Sequence, residues 1–204
     1  MIKHFTSDPH FNRTLEEGEG VLNRPFRNAN EMSWTLIDSI NTYVARNDIL
    51  YILGDFAFNW KETAFWRQQI RCRNIFVTRG NHDISLGRMK EVFGQDRVEN
   101  ILETSIYDLE LKLCHYPFLY WDNSHYNSAC LHGHLHDQRT ATYMAIFPEI
   151  RCLDVAFESA YRLLGKYRPF HEDEIYNILT SRKGHDPLQF YIDLQGEYDK
   201  KHKK

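Results

Sequence analysis

The sequence has no long apolar run and is poor in features that mark membrane, secreted or zinc-cluster proteins. No stretch approaches the ~20 apolar residues of a membrane-spanning helix, and no hydrophobic segment follows residues 1–5 as a secretory signal would require. The four cysteines form no C-x-x-C pair, which argues against a thiolate zinc cluster. We therefore expect a cytoplasmic protein without membrane contact, whose cysteines are small buried residues rather than disulfides.

An excess of positive charge is also missing. Lys and Arg total 25 against 28 Asp and Glu, which gives a formal net charge of −3. A long nucleic acid would need a basic field that this balance does not supply, so we expect a compact substrate. The basic tail at 199–204 is a local exception, which we interpret as a solvated, disordered end.

The 204 residues suffice for one α/β domain, which we predict over residues 1–198. Short apolar runs predict buried strands, and helical periodicity between them favours a sheet with right-handed crossovers. The predicted strands are 2–6, 49–53, 75–77, 109–114, 129–131 and 152–155. The predicted helices follow an N-cap at Asn30, surround residues 65–70, and cover 172–179.

Potential metal ligands directly follow five of the predicted strands. They are Asp8 with His10, Asp55, Asn81 with His82 and Asp83, His115, and His134 with His136. Sites in open α/β sheets form beyond the carboxyl ends of strands, so these five segments should converge. Carboxylate, imidazole and amide ligands suit Mn, Fe, Zn or Ni, and there are enough here for two ions that share a carboxylate.

Such a pair of ions predicts hydrolysis of a phosphoester. Two ions ~3.5–4 Å apart can hold a hydroxide nucleophile at neutral pH and bind the phosphate oxygens. Gly54, Gly80 and Gly133 each precede one of the ligand segments. We expect these glycines to permit a positive φ or a close backbone approach at the site.

The five segments resemble the signature blocks of the calcineurin-like metallophosphoesterase family. Those blocks read D-x-H, G-D, G-N-H-D/E, a lone H and G-H-x-H, in the order found here between positions 8 and 136. The one departure is Cys114, where the family often has Gly or Ser before the lone histidine. The resemblance implies an α/β (α+β) fold of two packed mixed sheets flanked by helices, a four-layer αββα arrangement.

The resemblance also implies a role for each block. The first metal ion would be held by Asp8, His10, Asp55 and His136, and the second by Asp55, Asn81, His115 and His134. His82 would face the scissile phosphate and stabilise charge or protonate the leaving oxygen, and Asp83 would orient His82 by a hydrogen bond. The implied cofactors are two divalent ions, manganese foremost, with Fe, Zn, Ni or Mg as alternatives.

Residues beside these blocks offer further contacts to a substrate. Arg13, Arg24 and Arg79 could bind a phosphate group, although a solvated loop explains the first two equally well. Tyr116 could stack on a nucleobase, but local contact with neighbouring residues is the stronger interpretation.

Taken together, these features predict a metal-dependent phosphoric ester hydrolase. We expect a phosphodiesterase that acts on a small or nucleotide-like diester. A phosphomonoesterase on the same metals, a nuclease with a local basic groove, and a catalytically silent binding module remain alternatives. An exposed sheet edge could also pair two copies into a homodimer.

Overall fold

The structure is a computed structural model that describes residues 1–13, 24–136, 150–182 and 200, and nine strands form two sheets there. In chain order the strands are β1 Lys3–Thr6, β2 Ile49–Leu53, β3 Asn74–Thr78, β4 Val98–Glu99, β5 Ile101–Ile106, β6 Leu109–Cys114, β7 Ser128–His132, β8 Cys152–Asp154 and β9 Phe170–His171. The first sheet has the order β4-β3-β2-β1-β9 and the second β5-β6-β7-β8.

Both sheets are mixed, and their parallel strands set the direction of the loops. Strands β1 to β4 are parallel to one another, whereas β9 runs antiparallel to β1. In the second sheet β6, β7 and β8 are parallel and β5 is antiparallel. A bridge between Ser7 and Ala156 joins the segments that follow β1 and β8. The loops that leave the parallel strands of each sheet therefore emerge at the carboxyl edge of that sheet.

The described residues form five α-helices. They are α1 Ala29–Tyr43, α2 Trp60–Gln69, α3 Leu86–Phe93, α4 Phe157–Leu164 and α5 Glu172–Thr180, and a short 3₁₀ turn covers Gln95–Arg97. The predicted N-cap at Asn30 is wrong. Asn28 is the cap, because its extended backbone lets the side-chain oxygen accept from the Glu31 N–H at 2.9 Å.

The core divides along the two faces of the first sheet. Leu50 and Ile52 of β2 pack against residues from α1, α2 and α3, whereas Tyr51 and Leu53 face the second sheet. This alternation follows from the two-residue period of a strand. Each fully buried aliphatic side chain stabilises the fold by roughly 1.5–3 kcal/mol. The predicted fold, two packed sheets flanked by helices, is confirmed.

Several narrower predictions can be compared with the structure. In β6 the leucines are buried while Glu110 is exposed, as the alternation predicted. All four cysteines are buried, and none of them is in a disulfide. Among the described residues no helix is long and apolar enough to cross a bilayer. The predicted tail at 199–204 lies outside the described residues, apart from Lys200.

Candidate metal centre

The turns that follow β1, β2 and β7 hold polar residues in a left-handed backbone conformation. The φ angle is 54° at Asp8, 48° at His10, 52° at Asp55, 69° at His134 and 50° at His136. This region costs a non-glycine residue about 1–2 kcal/mol, so the surrounding structure must hold it in place. Such strain is concentrated at functional sites, and here it falls on five of the predicted ligands.

Two glycines let these turns approach one another. Gly54 has a φ of 90°, and a Cβ built on it would lie 2.5 Å from His115 Nδ1. A Cβ on Gly133 would lie 1.9 Å from Ser7 Oγ and 2.1 Å from Asp8 Oδ2. No side chain fits at such distances, which confirms the predicted need for glycine beside the ligands.

One cluster of ligand atoms, the Asp8 group, consists of Asp8, His10 and His136. Asp8 Oδ1 lies 3.7 Å from His10 Nε2 and 3.4 Å from His136 Nε2. The two Nε2 atoms are 3.2 Å apart. Three potential ligand atoms from two loops thus converge on a buried point.

The second cluster, the Asp55 group, consists of Asp55, Asn81 and His115. His115 Nε2 lies 3.5 Å from Asp55 Oδ2 and 2.9 Å from Asn81 Oδ1. Asp55 Oδ2 is also 3.5 Å from His10 Nε2, so this oxygen lies between the two groups. Asp8 converges with Asp55 and His115 as well, which brings the two clusters into one centre.

His134 lies beside both clusters without joining their converging atoms. Its imidazole is 5.0 Å from that of His115, measured between ring centroids, and its backbone N–H donates to Asp8 Oδ2 at 2.9 Å. All seven predicted ligands are therefore neighbours. In six of them, all except His134, a potential ligand atom lies within 3.7 Å of a potential ligand atom of another.

The donor atoms fit divalent cations. Asp8 Oδ1 is buried and has no hydrogen-bond partner, a costly state unless a cation binds it. His115 Nδ1 donates to the Leu53 carbonyl at 2.9 Å, and its Nε2 faces Asn81 Oδ1 at 2.9 Å. These two atoms are close enough for one cation to be bound by both of them. Oxygen and imidazole nitrogen donors in this mixture suit first-row metal ions.

The electrostatics of Asp8 and His10 favour the protonation states that metal binding requires. Burial lowers the pKa of His10 to about 3, against the opposing effect of Asp8. Burial by itself would raise the pKa of Asp8, but His136 and His10 outweigh it and the pKa is lowered. Near neutral pH this pair is therefore a carboxylate and a neutral imidazole, the forms that bind a metal ion.

Asp83 has a different role from the expected one. Its Oδ2 accepts from the backbone N–H groups of Asp55 at 2.9 Å and Gly80 at 2.8 Å, and its Oδ1 accepts from Phe56 at 2.7 Å. The predicted hydrogen bond to the His82 ring is replaced by these contacts, because the carboxylate points into the two loops. Burial raises the pKa of Asp83 to about 6.

His82 lies at the open side of the centre. Its backbone N–H donates to Asp55 Oδ1 at 2.8 Å, and its half-buried ring is 5.4 Å from His10. Phe58, which the sequence analysis did not single out, contacts both His82 and His10 and remains 40% exposed. Arg13 lies over the Phe58 ring at 5.3 Å.

The other predicted substrate contacts divide into buried and exposed residues. Arg24 is buried and binds Glu158 and backbone carbonyls. Arg79 donates to the Ile84 carbonyl at 2.9 Å and so supports the loop that carries His82. Tyr116 is 44% exposed and contacts the rings of His115 and His134.

Two supporting residues were missed by the sequence analysis. Glu158 Oε1 lies 3.2 Å from His136 Nδ1, and the Ser7 hydroxyl, which has one hydrogen to donate, lies within hydrogen-bond distance of both Asp8 Oδ2 and the Leu53 carbonyl. Glu158 lies outside every signature block, and no sequence signal could have found it. Ser7 is next to Asp8, but serine at that position has no distinctive pattern.

Comparison with known proteins shows the family of the chain. The family described as calcineurin-like phosphoesterase matches residues 4–199. The chain belongs to this family. This calcineurin-like phosphoesterase is 29% identical over 185 residues to the uncharacterized protein MJ1445 of Methanocaldococcus jannaschii, a match that covers 88% of this chain and 92% of that protein.

A solved structure agrees on the fold. The crystal structure of the protein of unknown function AQ665 from Aquifex aeolicus has a TM-score of 0.60 and 19% identity, covering 87% of this chain and 98% of that one. A novel archaeal phosphodiesterase has 16% identity and a TM-score of 0.36, over 74% of this chain and 68% of that one. At these identities the AQ665 likeness speaks for the fold alone, and the lower score supports no inference.

Proposed function

We propose that this phosphoesterase hydrolyses a small or nucleotide-like phosphodiester with the aid of two divalent metal ions, manganese foremost. The ions would be held by Asp8, His10, Asp55, Asn81, His115, His134 and His136. The observation that carries the proposal is the convergence of the Asp8 and Asp55 groups around a buried carboxylate oxygen without a hydrogen-bond partner. Divalent ions bound there would act as Lewis acids and lower the pKa of a coordinated water toward ~7.

His82 is the candidate for contact with the reacting phosphate. It is half-buried at the open side of the centre, beside the loop of Asp55. Burial lowers the pKa of His82, Arg13 lowers it further, and Asp55 only partly opposes them. A neutral imidazole still has one N–H, so hydrogen bonding to a phosphate oxygen is the better supported of the two expected roles.

The surroundings of the centre favour a substrate with a flat aromatic part. Phe58 lies against the Asp8 group and Tyr116 against the Asp55 group, and both rings are substantially exposed. Exposed aromatic faces can stack on nucleobases. Arg13, beside Phe58, adds a cation that could contact a phosphate. By contrast Trp121, farther along the same loop, is buried, and its indole N–H donates to Ser128 Oγ.

The test uses two chromogenic esters and metal-stripped protein. With Mn²⁺ added back, we expect faster hydrolysis of bis-p-nitrophenyl phosphate, a diester, than of p-nitrophenyl phosphate, a monoester. A preference for the monoester would make the protein a phosphomonoesterase. Two bound ions without turnover of either ester would contradict the proposal and favour a silent binding module.

His82→Ala tests the assignment within the site. We expect an unchanged metal content and a turnover reduced by about 10²- to 10⁴-fold, the range for loss of a group that acts on the reacting atoms. His125→Ala is the control, because His125 is an exposed histidine in another loop. Full activity of His82→Ala on both esters would remove His82 from the mechanism.

A further inference from the structure

A buried ion pair lies directly behind the Asp8 group. Arg24 precedes α1, and Glu158 is in the first turn of α4, 134 residues away. Arg24 Nε donates to Glu158 Oε1 at 2.9 Å and Nη2 donates to Oε2 at 3.0 Å. Both residues are almost wholly buried. Such a bidentate pair has a fixed geometry that a single contact does not give.

This pair contacts two of the three members of the Asp8 group, Asp8 and His136, and also Pro9, which lies between Asp8 and His10 in the chain. His136 Nδ1 donates to Glu158 Oε1 at 3.2 Å. Arg24 Nη2 donates to the carbonyl of Asp8 at 2.6 Å, and Nη1 donates to that of Pro9 at 3.0 Å. The contacts therefore reach both strained turns, the one at Asp8 and the one at His136.

The contacts have a direct effect on the ligand atoms. A carboxylate at Nδ1 fixes the tautomer of His136, so its Nε2 lone pair faces Asp8 Oδ1, and it raises the basicity of that nitrogen. The bidentate contact with the Arg24 guanidinium holds Glu158 as a carboxylate.

Among the described residues, the Asp55 group contacts no such arginine–carboxylate pair, and its charged neighbour Asp83 accepts backbone N–H groups. Its histidine, His115, donates from Nδ1 to the backbone carbonyl of Leu53. Asp55 is held by the backbone N–H of His82. Removal of charge from Glu158 should therefore affect one group of ligands and not the other.

We propose that the Arg24–Glu158 pair positions the Asp8 group and selectively sets its affinity for a metal ion. This inference rests on the proposed metal centre, but its test does not depend on the identity of the substrate. Glu158 and Arg24 act through His136 and through the turn at Asp8, and they are positioning residues rather than catalytic ones.

The test is a calorimetric titration of metal-stripped protein with Mn²⁺. In Glu158→Gln we expect one of two binding steps to weaken by about 10- to 100-fold, the usual loss for a residue that supports a metal ligand. The other step should change by less than about twofold. Spectroscopy of bound Mn²⁺ should show one coupled pair of ions in the wild type and a single ion in the variant at low metal concentration.

Glu174→Gln is a matched control. Glu174 also forms a bidentate pair with an arginine, Arg168, and accepts a third hydrogen bond from the backbone of His171, but it lies on α5 away from the ligands. Its variant should keep both binding steps. Equal weakening of both steps in Glu158→Gln, or the same loss in Glu174→Gln, would overturn the proposal.

A double-variant cycle keeps the proposal testable if Glu158→Gln is less stable. His136→Ala should lose the same binding step, and adding Glu158→Gln to it should cause no further loss of affinity. A full additional loss would mean that Glu158 does not act through His136. If the wild type bound no Mn²⁺, the metal centre itself would fail, a result distinct from the loss of selectivity.

Discussion

The two halves of the candidate metal centre are held in place by different kinds of atoms. The Asp8 group is supported by side-chain charges, Arg24 and Glu158, which come from segments far apart in the sequence. The Asp55 group is supported by backbone N–H and carbonyl groups, collected in part by the carboxylate of Asp83. The Asp8 group therefore depends on the packing of α4, which carries Glu158. The Asp55 group depends on the loops that carry its own ligands and Asp83.

This difference determines how sensitive each group of ligands is to substitutions nearby. A backbone contact survives most substitutions, so the Asp55 group should tolerate variation in its surroundings. A buried ion pair is sensitive to the loss of either partner, because the remaining charge is left without compensation. We infer that the affinity of the Asp8 group is the more easily altered by a single substitution.

The largest expected effect comes from the residue shared by both halves. Asp55→Asn should weaken Mn²⁺ binding at both steps by more than about 100-fold, the upper end for residues that merely support ligands. The reason is that Asp55 Oδ2 lies 3.5 Å from a histidine of each group. Calorimetry and ester hydrolysis would measure the loss, with the exposed Asp38→Asn as control. If Asp55→Asn kept one Mn²⁺ binding step at the wild-type affinity, the two groups would bind metal independently, and Asp55 would not be a shared ligand.

The sequence predicted the residues that converge in the candidate centre, but only half of the contacts that support them. Asp83 is close to Asn81 in the chain. The signature block that contributes Asn81 to the Asp55 group therefore also contributes the carboxylate that supports this group. Glu158 approaches His136 only because α4 packs at the carboxyl edge of the sheets, a tertiary contact with no local signal. The same reasoning explains why Arg24 was considered for substrate binding, since an arginine in a loop does not reveal that Glu158 will meet it.

The strands and helices were also predicted only in part from the sequence. Strands β2 and β6 were predicted at their observed bounds, because continuous or alternating apolar residues define them. Strand β5 was missed, since it is an edge strand whose Ile101 is half exposed and whose middle residues are polar. Helix α3 was missed because it is short and buries only Met89. Elements with little buried apolar surface leave little periodicity to detect.

The next prediction is the counterpart of the Glu158 experiment for the other half of the centre. Asp83→Asn replaces one acceptor oxygen by an N–H₂ group that would face backbone donors, now left unsatisfied. We expect a loss of about 1–3 kcal/mol in the free energy of unfolding and weaker Mn²⁺ binding confined to the Asp55 group. Chemical denaturation and calorimetry would measure the two effects.

Asp48→Asn is the control for Asp83, because Asp48 also accepts backbone N–H bonds, from Ile2 and Ala45, but far from the ligands. It should lower stability without changing metal affinity. If Asp83→Asn instead weakened the step assigned to the Asp8 group, the division between the two halves would be wrong.

The smallest expected effect concerns the exposed ring on each side of the centre. Phe58→Ala should raise the KM for an aromatic diester while leaving metal affinity unchanged, because Phe58 touches the outer faces of His10 and His82 and no ligand atom depends on it. Stacking on one base is worth about 1 kcal/mol or more, so kcat/KM should fall by roughly fivefold. Phe65→Ala is the control, since Phe65 is similarly exposed on α2 but contacts Trp34 and Trp66.

Tyr116→Ala probes the other side of the centre in the same assay. A loss of kcat/KM in Tyr116→Ala alone would place the aromatic part of the substrate over the Asp55 group. A loss in neither variant would argue against a nucleotide-like substrate.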